Sequence, residues 1–454
     1  MMESTLSRAA EAMCGELHGS DVSFRGVSTD TRTIAADELF VALQGPNFDG
    51  SKFVRAAAER KAAAAVIATR VDSTLPTITV ADTRLALGQL ASSWRREMSA
   101  RVVGITGSNG KTTLKEMIAS CLSLAAQTLA THGNLNNDIG LPLMLLRLSP
   151  DHRYAVFEMG ANHAGEIEYL TTLAEPSVVV IANAGPAHLE GFGSIDGVAR
   201  AKGEILQSAT RPQAAILNAD DAYFDYWKSL GDDLRVLSFG MSPDATVYAS
   251  NICSVDEGST FRLHLPDDDM QLSLPLPGVH NVRNACAAAA VALALDLPAG
   301  QIKQGLESVE PVAGRLRILD GICGSRVIDD SYNANPTSVI AAIDWLAALP
   351  GVSVLVLADM AELGTDRAAL HRQVGAAAKK AGINRLLATG ELSRNTVDAF
   401  GEGATWYESV EDISAELAPG LSAESNVLIK GSRSMRMGRV VRALCRSVPE
   451  AMEA

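Results

Sequence analysis

Short apolar runs alternate with helical stretches between residue 101 and about residue 312. The runs are RVVGIT (101–106), YAVFEM (154–159), SVVVIAN (177–183) and QAAILN (213–218). Runs of this length that are separated by helices predict a parallel, doubly wound sheet. In residues 246–276 apolar and polar residues alternate between turn residues, so we expect an antiparallel appendage there. NVRNACAAAAVALALDL (281–297) predicts a long helix.

A second alternating series begins at residue 313. Its apolar runs are 326–331, 353–360, 384–390 and 426–432, and each one ends in polar residues. Because ligands of open α/β sheets bind outside the carboxyl ends of the strands, we expect these polar ends to face a binding site. The first 95 residues carry shorter strand-like runs, at 37–43 and 62–68. We therefore predict an α/β chain of three domains, listed in order: a small N-terminal α/β domain (1–95), a central parallel-sheet domain of P-loop type (96–312) and a C-terminal Rossmann-like domain (313–454).

The composition narrows the class of protein without changing this picture. A chain of 454 residues has room for about three domains, and its 47% of hydrophobic residues can build sizeable cores. The net charge of -14 argues against a general nucleic-acid or anionic-membrane binder, which needs a basic face. The six cysteines include no C-x-x-C pair, which fits a reducing compartment and supports no zinc site. No apolar run reaches the length of a membrane span, so we expect a cytoplasmic protein without membrane insertion.

The segment TGSNGKTT (106–113) lies between a predicted strand and a predicted helix. The standard P-loop reads G-x-x-x-x-G-K-[ST], and its first glycine would fall where this chain has Ile105. A glycine turn at a helix N-terminus still forms an anion site, in which Lys111 can reach a terminal phosphate and Thr112 can ligate magnesium. The alternative is a glycine turn beside an exposed lysine, and the strand and helix on either side favour the phosphate loop. The candidate nucleotide contacts are Gly107, Ser108, Asn109, Gly110, Lys111, Thr112 and Thr113.

Three further side chains could take part in metal binding. Glu158 ends an apolar strand, where a carboxylate beside a phosphate loop suits magnesium, although it could instead be a helix-capping or solvated glutamate. His188 and Lys202 follow the next strand, and taken alone such residues are more often surface or packed side chains.

The fragment TGSNGKTT closely resembles the phosphate loop of the Mur ligase family, the ATP-dependent amide ligases of peptidoglycan assembly, together with folylpolyglutamate synthases. The resemblance extends over nearly the whole chain. It implies that Lys202 is carbamylated by CO2 and helps Glu158 and His188 to position a second magnesium ion. A lysine amine can be carbamylated only where it is locally desolvated. Lys111, Glu158, His188 and Lys202 are thus the candidate catalytic residues, with Thr112 as a further metal ligand.

The resemblance also implies contacts with ATP and with a UDP-linked muramyl peptide. His280, Asn281 and Asn284 match the family motif H-N-x-x-N, whose last asparagine faces the adenine. Arg315 and Asp330 match residues that contact ATP and its ribose. Ser28, Asp30 and Arg32 match a pattern of donors suited to the uridine diphosphate, although they could instead form a turn with a surface ion pair. Asn134, Asn136 and Asn137 match a stretch near the muramyl peptide, although they could instead belong to a loop that caps the next helix.

Two C-terminal segments, DDSYNANPTSV (329–339) and LADMAELG (357–364), indicate one branch of the family. They resemble members that join D-alanyl-D-alanine to UDP-N-acetylmuramoyl-tripeptide, whereas the DNPR motif of the members that add the third amino acid is absent. Ala358 departs from the pattern, which usually has glycine there. Candidate substrate contacts in this domain are Asn335, Lys430, Ser432 and Arg433.

The implied reaction activates the peptide carboxylate as an acyl phosphate, which the amine of the dipeptide then attacks, so that ADP and phosphate are released. Such chemistry needs charge neutralisation and positioning more than a protein nucleophile. We expect a monomer. Another ligase of the superfamily, either one that adds the third amino acid or a folylpolyglutamate synthase, remains the nearest alternative. A nucleotide-binding regulator without turnover is the alternative from a different class.

Overall fold

The computed structural model describes residues 2–45, 48–255 and 258–446. Residues 1, 46–47, 256–257 and 447–454 lie outside the described residues, and 256–257 belong to the predicted antiparallel segment. Among the helices in the described ranges, none is long and apolar enough to cross a bilayer.

The first unit contains a five-stranded, mostly parallel sheet with one antiparallel edge strand, and two further pairs of short strands. Its strands are β1 (Glu3–Thr5), β2 (Glu16–His18), β3 (Ser23–Arg25), β4 (Val27–Ser28), β5 (Leu39–Val41), β6 (Gln44–Gly45), β7 (Phe48–Asp49), β8 (Ala64–Ile67) and β9 (Thr77–Thr79). Its helices are α1 (Leu6–Ala12), α2 (Val54–Glu59) and α3 (Thr83–Glu97). The five-stranded sheet has the order β2-β9-β8-β5-β4, while β1 pairs with β3 and β6 with β7.

The central unit is a nine-stranded sheet that continues from parallel to antiparallel pairing. Its strands are β10 (Arg101–Thr106), β11 (Thr128–Ala130), β12 (Tyr154–Glu158), β13 (Val178–Ile181), β14 (Ala214–Asn218), β15 (Arg235–Gly240), β16 (Val247–Val255), β17 (Gly258–His264) and β18 (Asp269–Leu274). Its helices are α4 (Lys111–Ser123), α5 (Gly140–Leu145), α6 (Glu166–Ala174), α7 (Leu189–Phe192), α8 (Ile195–Gly203), α9 (Phe224–Leu230), α10 (Val279–Ala294) and α11 (Ala299–Glu307). The strand order is β11-β12-β10-β13-β14-β15-β16-β17-β18. The predicted antiparallel segment is therefore an extension of the main sheet, because β16 pairs in parallel with β15.

The order places a topological switch point beside the phosphate loop. β10 pairs with β12 on one side and with β13 on the other. The strands that follow β10 in the chain are therefore added first on one side of it and then on the other. Ligands of open α/β sheets bind at such a point, outside the carboxyl ends of the strands. The loop that follows β10 opens there.

The third unit is a six-stranded sheet with one antiparallel edge. Its strands are β19 (Arg317–Asp320), β20 (Arg326–Asp330), β21 (Val352–Ala358), β22 (Arg385–Thr389), β23 (Ala404–Tyr407) and β24 (Ser425–Lys430). Its helices are α12 (Pro336–Ala347), α13 (Arg367–Lys380), α14 (Arg394–Phe400), α15 (Val410–Leu417) and α16 (Gly438–Leu444). The order is β19-β20-β24-β21-β22-β23, in which only β19 runs antiparallel. The predicted α/β class with parallel sheets is confirmed.

The apolar cores explain how the units are joined. One continuous cluster contains Leu87 and Leu90 of α3 together with Phe157 and Leu217 of the central sheet, so the first unit shares a core with the central unit. On the opposite face of the central sheet, the alanines of α10 are fully buried, because small side chains allow a helix to approach a sheet closely. The clusters on the two faces of the third sheet contain only residues of the third unit.

Candidate active site

The phosphate loop joins β10 to α4 as predicted, and its geometry explains the unusual spacing. Ile105 is a fully buried strand residue whose carbonyl accepts a hydrogen bond from the Met159 N–H (2.8 Å), so the loop begins only after it. Gly110 precedes α4 with φ of 80°, and a Cβ there would lie 3.0 Å from the Asn284 amide. Glycine is required at this position both for the left-handed backbone and for the close approach. The α4 N-terminus has no side-chain cap and points its N–H groups to the site.

The loop is braced by the segment that follows β13, which the sequence reasoning missed. The Asn183 amide accepts a hydrogen bond from the Asn109 N–H (2.9 Å) and donates one to the Asn109 carbonyl (3.1 Å). The Ser108 hydroxyl accepts one from the Gly185 N–H (2.9 Å). The only signal in the sequence was the position of Asn183 just beyond an apolar strand. These hydrogen bonds fix the backbone conformation of the phosphate loop.

Glu158 ends β12 beside this loop and carries an unsatisfied oxygen. The side chain is 2% exposed, and its Oε1 has no hydrogen-bond partner in the described structure. Its Oε2 receives only long contacts, from the Thr112 hydroxyl (3.4 Å) and the Asn136 amide (3.5 Å). A buried carboxylate oxygen without a partner is costly unless a cation or water satisfies it. Glu158 and Thr112 therefore fit the oxygen ligands that magnesium prefers.

The half-buried Lys111 and the buried Lys202 lie close to one another near the loop. Burial lowers the pKa of Lys111, although Glu158 acts in the opposite direction, and the ammonium donates to the Gly107 carbonyl (2.6 Å). Burial also holds the pKa of Lys202 well below its ordinary value, and the positive charge of Lys111 adds to this effect. Lys202 is 3% exposed, and its ammonium donates no hydrogen bond in the described residues. A neutral amine is therefore accessible at position 202.

His188 lies between α7 and the third unit. Its buried Nδ1 lies 2.5 Å from a carboxylate oxygen of Glu362, at an angle too bent for an aligned hydrogen bond. The sequence reasoning missed Glu362, because nothing in the sequence indicates which loop of another unit will reach a histidine.

The third unit brings basic and amide groups to the same site. Lys430 at the end of β24 donates to Asp330 (2.6 Å), and both are almost fully buried. The Asn335 amide donates to the Asn109 side chain (2.6 Å), while its oxygen caps α12. The Arg315 guanidinium stacks over the Tyr332 ring, 4.1 Å from its centre.

Other predicted residues have specific places. Asn137 caps α5 through the Gly140 N–H (2.8 Å), and the Ser432 hydroxyl accepts from the Ala361 N–H (2.6 Å). Arg433 reaches the Tyr332 ring from a longer distance of 5.8 Å. Burial lowers the pKa of His280 to about 4, with help from the charges of Lys430 and Arg283, so the imidazole is neutral.

These residues line one cavity of about 820 Å³ between the units. The predicted residues along its wall are Ser108, Asn109, Gly110, Lys111, Thr112, Thr113, Asn134, Asn136, Asn137, Glu158, His188, Lys202, His280, Asn281, Asn284, Arg315, Asp330, Asn335, Lys430, Ser432 and Arg433.

Four predicted residues do not line the cavity. Gly107 lies at the base of the phosphate loop, and Ser28, Asp30 and Arg32 lie in the first unit. Asp30 accepts hydrogen bonds from the N–H and the guanidinium of Arg32, which is exposed. The contact of these residues with the uridine diphosphate stays a prediction.

The first unit reaches the cavity through a different residue. Arg84, in the first turn of α3, lines the wall and forms an ion pair with Asp138 of the central unit. The predictions did not include either residue, because neither belongs to a recognised motif.

Comparison with known proteins agrees with this arrangement. Residues 23–95 match the Mur ligase family catalytic domain, residues 105–292 the Mur ligase middle domain, and residues 314–433 the Mur ligase glutamate ligase domain. The chain is 44% identical over 448 residues to the UDP-N-acetylmuramoyl-tripeptide–D-alanyl-D-alanine ligase of Escherichia coli, covering 98% of this chain and 99% of that protein.

The chain belongs to the Mur ligase family.

Solved structures support the same relation. A crystal structure of MurF from Acinetobacter baumannii has a TM-score of 0.92 at 34% identity and covers 97% of this chain and 98% of that one. MurF ligase from Thermotoga maritima, in complex with ADP, has a TM-score of 0.83 at 26% identity and covers 92% and 96%. The resemblance to the Mur ligase family that the motifs indicated is confirmed.

Proposed function

We propose that this Mur ligase joins D-alanyl-D-alanine to UDP-N-acetylmuramoyl-tripeptide and converts ATP to ADP and phosphate. The observation that carries the proposal is the single cavity in which a phosphate loop, an unsatisfied buried carboxylate and the basic residues of the third unit meet. The E. coli protein named for this reaction aligns over almost the full length of both chains.

Each unit has a part in this reaction. We assign the UDP-sugar moiety to residues 1–95, ATP to residues 96–312 and the incoming dipeptide to residues 313–454. We expect a monomer, since one chain supplies a cavity wall from all three units. ATP and nucleotide-linked precursors are held in the cytoplasm, where we expect the enzyme to act.

The residues present fit magnesium, which would neutralise charge that builds up on the phosphates. Thr112, Glu158 and His188, together with a carbamylated Lys202, would hold two ions. In the described residues no three side chains of histidine, cysteine, aspartate or glutamate are grouped to hold a metal. The proposed donor set also includes the Thr112 hydroxyl and the carbamate.

The burial of Lys202 supports the proposed carbamylation. A neutral amine attacks CO2, forms a C–N bond and releases one proton, which leaves a carbamate anion. Burial favours the neutral form of the Lys202 amine, and the carbamate anion would lie in the same cavity as the Lys111 ammonium.

The chain itself positions the reactants. The phosphate loop holds the triphosphate, and Lys111 is placed to exchange the Gly107 carbonyl for a phosphate oxygen. A carboxylate oxygen of the tripeptide attacks the γ-phosphorus, and ADP leaves. The dipeptide amine then attacks the acyl carbon and gives up a proton, and phosphate leaves with the carboxylate oxygen and takes up that proton. The enclosure between the units keeps water from the acyl phosphate.

An assay of ADP release across acceptors tests the proposal. With UDP-N-acetylmuramoyl-tripeptide and ATP, we expect turnover with D-alanyl-D-alanine and none with L-glutamate, L-lysine or meso-diaminopimelate. Lys111→Ala should abolish turnover, whereas replacement of the exposed Lys228 by alanine should leave it unchanged. Turnover with glutamate or a diamino acid but not with the dipeptide would identify another ligase. Absence of ADP release with every acceptor would indicate a binding protein.

A further inference from the structure

A loop of the third unit reaches the predicted metal ligand His188. We call residues 359–364 the bridging loop. Its Glu362 carboxylate lies 2.5 Å from His188 Nδ1, and the backbone at Gly364 packs against Leu189 and Glu190, at about 3.8 Å from where a Cβ on the glycine would stand. The loop is therefore in contact with the start of α7 at more than one point.

The bridging loop is also held firmly on its own side. The Ala361 N–H donates to the Ser432 hydroxyl (2.6 Å), and the Ser432 N–H donates to the Asp359 carbonyl (3.0 Å). Ser432 thus fixes the loop at the end of β24. Because the loop is fixed to the third unit, the Glu362 carboxylate moves together with that unit.

Both members of the contact have a backbone conformation that non-glycine residues seldom adopt. His188 has φ of 54° and Glu362 has φ of 61°. Left-handed residues persist where the surrounding structure requires them, and they concentrate at functional sites. Here two such residues meet across the boundary between the central and third units.

The chemistry of the pair concerns the second ring nitrogen of the histidine. An imidazole that donates its Nδ1–H to a carboxylate keeps the lone pair on Nε2, and this is the form that ligates metals. His188 lines the cavity together with Glu158 and Lys202. Hydrogen bonds of this kind are often bent in the absence of substrates and become aligned when substrates bind.

We propose that Glu362 is a positioning residue that fixes the tautomer and orientation of His188, so that the metal site is completed only when the third unit is docked. The proposal rests on the metal role given to His188 in the proposed function. It couples the unit that binds the acceptor to the site that stabilises the phosphates. Because such coupling is reciprocal, metal binding should also favour the docked third unit.

The test combines a spectroscopic signature with metal affinity in the full chain. His188 is observed by NMR with ¹⁵N-labelled histidine, and its signals are identified by their loss in His188→Gln. Mn²⁺ replaces Mg²⁺, and its binding in the presence of ADP is measured by electron paramagnetic resonance. The contact is removed in Glu362→Ala, and Glu190→Ala is the matched control, since it removes an exposed carboxylate two residues from His188.

We expect the native chain to show His188 with the proton on Nδ1. Glu362→Ala should move the proton towards Nε2 and weaken Mn²⁺ binding by about tenfold or more, whereas Glu190→Ala should change neither. An unchanged tautomer and unchanged Mn²⁺ affinity in Glu362→Ala, or equal effects in both variants, would overturn the proposal. If the alanine variant does not fold, Glu362→Leu, which cannot accept the Nδ1–H, decides: weaker Mn²⁺ binding supports the proposal and native binding contradicts it. Neither readout depends on the acceptor, so the ADP assay judges the proposed function separately.

Discussion

At the scale of single residues, the unsatisfied oxygen of Glu158 is the strongest indication of cation binding in the cavity. Oε1 is buried and has no hydrogen-bond partner among the described residues, and Glu158 ends the buried strand β12 beside the phosphate loop. Desolvating a carboxylate oxygen without compensation is costly, so a ligand of positive charge should bind there. The same atom would be satisfied without any cation if a protein donor were nearby, and the described structure has none.

Glu158→Gln should therefore weaken metal-nucleotide binding selectively. The amide keeps the size of the side chain but removes the charge that attracts the cation. We expect the affinity for Mg-ADP, measured by calorimetry, to fall at least tenfold, with a smaller change for ADP in the presence of a chelator. Glu168→Gln, on an exposed face of α6, is the control. Equal affinity of the native chain and Glu158→Gln for Mg-ADP would contradict the assignment.

If Lys202 holds a metal as a carbamate, as proposed above, Lys202→Ala should lower turnover by about a hundredfold. Its buried position leaves room for a small anion in the variant, so short carboxylates such as acetate or propionate should restore part of the activity. The measurement is kcat at increasing carboxylate concentration, with Lys228→Ala as a control. Turnover of Lys202→Ala equal to that of the native chain would exclude a carbamate role.

Residues inside a local motif were predictable, and residues that meet across units were not. The strand, glycine turn and helix around Lys111 and Thr112 follow from neighbouring sequence, because backbone conformation there is set locally. Glu362 and Arg84 reach the cavity from other units, and their positions depend on long-range packing. The brace by Asn183 was missed for the same reason.

At the scale of elements, β20 and β24 are linked by the buried pair of Asp330 and Lys430. Burial lowers the pKa of Lys430, an effect that the Asp330 charge opposes. Removing one member of a buried ion pair leaves the other uncompensated, which costs roughly 3–5 kcal/mol.

Lys430→Met should thus lower the free energy of unfolding of the third unit by about 3–5 kcal/mol. The double variant with Asp330→Asn should recover most of this loss, because no unpaired charge remains. Urea denaturation followed by tryptophan fluorescence measures both, and Lys380→Met on an exposed helix face should change little. A single variant as stable as the native chain would show that the pair contributes nothing.

The Asn335 side chain has two roles that a substitution can separate: its oxygen caps a helix, and its amide group contacts the central unit. Its oxygen caps α12, and its amide donates to Asn109 of the phosphate loop. Asn335→Ser keeps a good N-cap but removes the amide. We expect unchanged thermal stability and a fall in kcat/KM for the dipeptide of about tenfold, the size of one lost hydrogen bond of about 1–1.5 kcal/mol.

Ser338→Ala is the complementary variant, since it removes one half of the capping box and leaves the Asn109 contact in place. It should reduce stability by about 1 kcal/mol and leave kcat/KM close to native. If Asn335→Ser lost stability and kept its kinetics, the contact with Asn109 would have no part in docking.

The sheets show how far apolar patterns determine elements. β10 coincides with its predicted range, and the runs in the third unit differ from the observed strands by one or two residues. β19 and β23 were missed because edge strands are partly exposed and lack a continuous apolar run. Pattern alone also could not show that the antiparallel segment continues the main sheet, because pairing between β15 and β16 depends on tertiary packing.

At the scale of the whole molecule, the two boundaries between units differ in kind. The first and central units share an apolar core through α3. Three polar contacts join the central and third units: Asn335 with Asn109, Arg315 with Thr112, and Glu362 with His188. Interfaces of this kind permit relative movement of units. The third unit is therefore the part that would close over the reactants and open for product release.

The central claim is that this cavity activates the tripeptide carboxylate by phosphoryl transfer before the amide bond forms. An oxygen-transfer experiment tests it most directly. UDP-N-acetylmuramoyl-tripeptide labelled with ¹⁸O in both oxygens of the reacting carboxylate is incubated with ATP, D-alanyl-D-alanine and the enzyme, and the released phosphate is analysed by mass spectrometry. The account predicts one ¹⁸O atom in each phosphate, because the acyl phosphate breaks between carbon and the former carboxylate oxygen. Phosphate without ¹⁸O, released together with the new amide, would contradict it.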